Sequence, residues 1–191
     1  MELALQQKLV AQLVTDREYR EKFFADPARV AASQGLTVAA EPLVHLHHEQ
    51  VRQLARVLRR RRLAQVGVQL PLTRKALGAR FADLFRNYAV TPPPGKRSFE
   101  DALGFAGFLE QHAAAHGLDP QWSLSLVRYE AAQLEATWLG RRLVVRFLQH
   151  RVKKLAALLA TGEVPAGSYQ GFCPALWWRS STHSRLKHWL G

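Results

Sequence analysis

LPLTRKALGARFADLF, residues 70–85, supports two different uses of the same helices. Arg74, Lys75 and Arg80 would suit a helix laid against nucleic acid. Leu70, Leu77, Phe81, Leu84 and Phe85 recur at helical spacing and would suit a helix locked into a protein core. Pro71 sits where a helix tolerates the loss of an N–H, and Gly78 permits a turn that other residues resist. Which of the two patterns governs decides between a nucleic-acid binder and another kind of protein.

Upstream, residues 43–66 form the longest helical candidate, with an apolar stripe of Leu43, Leu46, Val51, Leu54, Val57 and Leu58. Arg52, Arg56, Arg59 and Arg60 lie mostly off that stripe. Before it, residues 2–14 read as an amphipathic helix. Thr15 or Asp16 caps a second helix, and Asp26-Pro27 opens a third that stops at Gly35. Downstream, TPPPGKRS at 91–98 is a turn, and Ser98 caps a helix ending at Gly117. Asp119-Pro120 introduces another helix, from about Gln121 to Leu139.

The character changes after Gly140. RRLVVRFLQHRV alternates Leu143, Val145 and Phe147 against Val144, Arg146 and Leu148, a pattern open to a strand or a helix. KKLAALLATG is helical, and PALWWRSSTHSRLKHWLG reads as two short strands around a polar turn at 180–184. The expected fold is mainly α, a helical bundle body with a small C-terminal antiparallel β element. Three segments follow: an N-terminal helical hairpin at 1–40, a helical body at 41–139 and a basic β/α module at 140–191.

With 48% hydrophobic residues in 191, the chain is far from a disordered basic tail. No apolar run reaches the roughly 20 residues a bilayer requires. MELALQQKLVAQLV lacks the basic start of a signal peptide, so a cytoplasmic protein of bacterial type is expected. Cys173, the single cysteine, excludes an intramolecular disulfide and a multi-cysteine metal site. The net charge of +12 comes in blocks: −2 over residues 1–50, +11 over 51–97, −5 over 98–139 and +8 over 140–191. Such blocks imply an anionic partner or an oppositely charged internal neighbour.

Catalytic chemistry finds little footing. In HLHHE, His45 and Glu49 share a helix face, as do His48 and Arg52, but the order is not that of a metalloprotease and no third ligand is specified. His112 and His116 fall in the last turn of a helix, where cations are stabilised. Cys173 reads as structural, and Glu130 and Glu135 are positioned to pair with the basic blocks. No residue is assigned to catalysis, a cofactor or a metal. Arg59, Arg60, Arg61 and Arg62 suit phosphate contacts, docking on an acidic protein, or a solvated helix end equally well.

The stretch from Leu70 to Leu109, followed by LVRYEAAQLEATW, resembles a bacterial family named for DNA binding. The features that carry the resemblance are Pro71, Leu77-Gly78, Phe81, Phe85, Tyr88, Pro92 to Pro94, Phe108-Leu109, Arg128, Glu130 and Glu135, over roughly residues 50–139. Proteins similar to this family accompany multinuclear non-haem iron oxidases that modify ribosomally made peptides, and help bind the precursor's leader. The resemblance implies a non-catalytic partner subunit, a heterodimer with such an oxidase, with iron held by the partner. The C-terminal β element would receive the leader strand at an exposed edge. Partner-binding residues would be Arg59 to Arg62, Arg74, Lys75, Arg80, Arg146, Trp177, Trp178 and Arg179. In the light of the resemblance, LPLTRKALG is a helix–turn junction with Leu77, Phe81 and Phe85 inward and Arg74, Lys75 and Arg80 outside, so the apolar pattern sets the architecture and the basic one the choice of partner. A nucleic-acid-binding regulator is the alternative.

Overall fold

The computed structural model describes residues 2–33, 47–163, 165–167, 169–181 and 184–191, with side chains of the first helix from residue 7. Aspartates organise the start of the chain. Helix α1 covers Glu2–Thr15, α2 Arg17–Ala25 and α3 Pro27–Ser33. Asp16 accepts the Tyr19 N–H at 3.0 Å and Asp26 accepts the Arg29 N–H at 3.1 Å, so each carboxylate satisfies an otherwise orphaned donor. Leu9, Leu13, Phe23 and Ala31 then pack with Val51 into a small core.

Helix α4 runs from His48 to Gln69, beyond the expected end at 66. Of its expected apolar stripe, Leu43 and Leu46 lie outside the described residues, and the remainder is not buried throughout. Val51 and Val66 are buried, whereas Leu54 and Val57 are 47% and 56% exposed. A stripe on a long helix is buried only where another element covers it.

Helices α5, Pro71–Leu77, and α6, Ala79–Tyr88, meet at Gly78, whose φ of +54° would strain a residue with a Cβ. Leu70, Leu77, Phe81, Leu84 and Phe85 are all buried, as the junction reading expects. Phe81 and Phe85 each meet the Phe105 ring edge-on at 5.2 Å. Phe105 belongs to α7, Ser98–His116, and α8 follows at Ser123–Trp138. Ser98 is the first helical residue rather than the cap; the Glu100 carboxylate takes the Arg97 N–H instead, at 2.9 Å.

A buried carboxylate ties α8 to α5. Glu130 accepts the Leu72 N–H at 2.7 Å, the Thr73 N–H at 2.9 Å and the Thr73 hydroxyl at 2.7 Å. It therefore caps the first turn of α5 rather than pairing with a basic block, the use expected for it. Capping wins because the α5 donors have no partner within their own helix.

The segment after Gly140 is a strand. β1, Leu143–His150, β2, Gln170–Trp178, and β3, Lys187–Leu190, form an antiparallel sheet in the order β1-β2-β3, with α9, Val152–Thr161, after β1. Val144, Leu148, Cys173, Ala175 and Trp177 point to one face and join Trp122, Leu126 and Ala132 in a core with Leu155. The fold is mainly helical with a small C-terminal antiparallel sheet.

Residues 1–63 with 86–93 form one compact unit, and residues 64–85 with 94–191 form another. This division differs from the three expected segments. The module at 140–191 shares its core with α8, because the inner sheet face is apolar and α8 covers it. No helix among the described residues is long and apolar enough to cross a membrane.

Candidate functional site

Strand alternation gives the sheet a second apolar face. Register places Leu143 opposite Trp178, Val145 opposite Leu176, and Phe147 opposite Pro174, while Leu176 also faces Trp189. Directly opposed residues share a face, so these side chains line the side turned away from the core. Leu143, Phe147, Phe172 and Trp189 are 60%, 65%, 75% and 52% exposed. The Phe147 and Phe172 rings stack, with centroids 5.6 Å apart and planes 19° from parallel. A contiguous apolar patch on a protein surface marks an interaction site far more often than scattered single residues do.

The stacked rings stand at the rim of a cleft of about 750 Å³. Ala113, Gly117 and Leu124 form its helical wall; Phe147, His150 and Phe172 form the sheet side. Gln121, Gln149 and Gln170 add amides that can donate or accept. β1 and β3 are the two edges of the three-stranded sheet, where backbone groups can pair with an added strand.

His150 lies in this wall, with Nδ1 2.9 Å from Ser125 Oγ. The pair has the composition of a nucleophile and its base, yet Ser125 is buried and does not line the cleft, so its hydroxyl is not presented to a substrate. Burial lowers the His150 pKa, which favours the neutral imidazole. The contact serves as a polar bridge inside the core. Cys173 is likewise buried, its thiol 3.3 Å from the Gly191 carbonyl.

The residues assigned from the sequence to partner binding are dispersed. Trp177 is 0% exposed; its indole N–H donates to Gln133, its ring packs on Tyr129 and His188, and it has no surface to offer. Trp178 takes the outer face, as alternation requires. Arg146 turns inward and donates through Nη2 to both Glu135 oxygens at 3.1 and 2.9 Å, and Arg141 joins the same carboxylate at 3.1 Å. Arg179 donates to the Ala136 carbonyl. Arg74, Lys75 and Arg80 are exposed as expected, but two are engaged. Lys75 reaches the Leu159 carbonyl in the last turn of α9 at 3.1 Å, and Arg80 pairs with Asp119 at 3.2 Å.

The arginine run separates around α4. Arg60 and Arg61 are exposed, Arg62 lies over the Tyr88 ring at 5.8 Å, and Arg59 lines a cavity between α2 and α4. His112 and His116 stack, with ring centroids 4.9 Å apart. His45 and His183 lie outside the described residues. No group of three or more metal-ligating side chains gathers among the described residues.

Leu143, Phe147, Phe172 and Trp189 are not among the partner-binding residues expected from the sequence. A signal for them existed: in residues 143–148 both alternating sets are rich in apolar residues, so a strand there has a greasy outer face as well as a greasy inner one.

The chain is thus a helical protein carrying a small sheet whose outer face is apolar. Residues 36–111 match the family described as SCO6045-like, C-terminal domain. The match overlaps the resemblance above over residues 50–111 and ends before α8 and the sheet. No curated protein matches the chain.

Proposed function

We propose that this protein is a non-catalytic partner that docks an extended peptide on its C-terminal sheet and presents it to a modifying enzyme. The carrying observation is the outer sheet face, with Leu143, Phe147, Phe172 and Trp189 uncovered beside a cleft of about 750 Å³. An extended peptide would add backbone hydrogen bonds at a sheet edge. Its alternate side chains would rest on the stacked phenylalanines, and the three glutamines would bond to its backbone. The resemblance to partner subunits of multinuclear non-haem iron oxidases supports a finer reading. The peptide is then the leader of a ribosomally made precursor, the enzyme is the oxidase in a heterodimer with this chain, and the iron belongs to the oxidase.

The test is co-purification with a multinuclear non-haem iron oxidase from the same genome, together with calorimetric titration of that oxidase's precursor peptide. The wild-type chain is expected to bind the precursor, and a Phe147→Asp, Phe172→Asp double variant to lose at least tenfold in affinity with its circular dichroism unchanged. Folded wild-type protein that binds neither oxidase nor peptide would end this reading.

A further inference from the structure

Two helix faces with matched spacing bring a cluster of guanidinium groups together. On α2, Arg17 and Arg20 are three apart; on α4, Arg52, Arg56 and Arg59 fall at i, i+4 and i+7. These five side chains line a cavity of about 230 Å³, with the small Ala55 leaving room between the α4 arginines. Two carboxylates attend them. Glu21 lies 4.0 Å from Arg17, and Glu49 lies 3.9 Å from Arg52 and 3.7 Å from Arg56. The positive charges outnumber the negative ones.

Arg20 is the informative member. It is only 8% exposed, and its Nη1 donates to the Leu13 carbonyl at 2.9 Å. Its Nε has no hydrogen-bond partner among the described residues. A buried donor left without an acceptor is costly, and native proteins rarely leave one. Burial lowers the Arg20 pKa, as do the charges of Arg59, Arg17 and Arg52, against the pull of Glu21. The cavity is therefore lined by guanidinium groups in mutual repulsion, one of them on a buried arginine whose Nε is unmet.

We infer that this cavity is a binding site for a phosphate group. A tetrahedral dianion offers acceptors in several directions at once, so it can bridge guanidinium groups of both helices. A planar carboxylate would serve one guanidinium fork and leave more of the excess charge unmet. Free phosphate and the phosphomonoester of a small molecule share this chemistry. The site uses α2 and α4, not the sheet, so it stands or falls separately from peptide docking.

The experiment is calorimetric titration of the full chain with inorganic phosphate, then with glycerol phosphate, at constant ionic strength in chloride. Saturable one-to-one binding is expected. Arg52→Gln and Arg59→Gln should each weaken it at least tenfold. Arg60→Gln and Arg61→Gln, on the same helix but outside the cavity lining, should leave it unchanged. Glycerol phosphate competing for the same site assigns it to phosphomonoesters; binding of inorganic phosphate alone assigns it to the free ion. Circular dichroism of each variant separates lost binding from lost fold. Absence of saturation by either ligand in folded wild-type protein would overturn the assignment. Equal losses from all four substitutions, or a duplex oligonucleotide bound in their place with such equal losses, would overturn it too, by reducing the cluster to unspecific attraction.

Discussion

Glu130 shows what a single buried residue contributes. Its carboxylate accepts three hydrogen bonds from Leu72 and Thr73, and two of the three donors are backbone N–H groups at the start of α5. Burial raises its pKa, while the bonds from Thr73 and Leu72 work in the opposite direction. Removing the acceptor strands those donors away from water. Glu130→Ala is expected to lower stability by about 3 kcal/mol in urea denaturation, whereas Thr73→Val, which removes one hydroxyl donor, costs about 1 kcal/mol. A Glu130→Ala loss no larger than that of Thr73→Val would show that α5 does not depend on this cap. Sequence could place Glu130 on a helix; it could not show that the helix start at Pro71, so distant along the chain, would supply its donors.

At the scale of the element, β2 carries opposite consequences on its two faces. Trp177 fills the core between the sheet and α8, and Trp177→Ala is expected to cost about 3–5 kcal/mol through lost burial and the cavity left behind. Phe172 and Phe147 stand in solvent on the other face, where replacement by serine should change stability by no more than about 0.5 kcal/mol. Thermal melts of the three variants check the contrast. A large loss from Phe147→Ser or Phe172→Ser would mean that the outer face is structural, which would remove the main support for peptide docking. One step along the strand separates these outcomes. The repeat of two was legible in the sequence, but which set met α8 was not, because both sets are apolar.

Across the whole molecule, the charge blocks are partly answered from within. Glu135 of the acidic block holds Arg141 and Arg146 of the last basic block, and Asp119 holds Arg80 of the first. Around the α2–α4 cavity the match is incomplete: Glu21 attends Arg17 and Glu49 attends Arg52 and Arg56, two carboxylates against five arginines. Proton linkage adds a global prediction. Burial lowers the pKa of both His150 and His188 from the ordinary 6.5, so on acidification the unfolded chain takes up these protons before the folded one. The associated stability is present above about pH 6.5 and is lost as pH falls below it. The melting temperature should therefore drop between pH 7.5 and 5.5, and His150→Gln and His188→Gln should each flatten part of that slope. Slopes untouched by either substitution would assign the pH response to other groups.

Local chemistry was enough to place many elements: proline and glycine at the α5–α6 junction, aspartate caps at the first helices, and the strand–turn–strand pattern after Pro174, while residues 143–148 stayed open between strand and helix. These signals act over a few residues, and a few residues suffice to read them. The tertiary structure alone decided that Glu130 caps α5, that Trp177 is core while Trp178 faces outward, and that Leu54 and Val57 stay exposed on an otherwise convincing stripe. It also gathered Arg20 with arginines of α4. Each of these depends on which surface meets which across long separations in sequence. Hydrophobic spacing says that a face will seek cover, and only packing says what covers it.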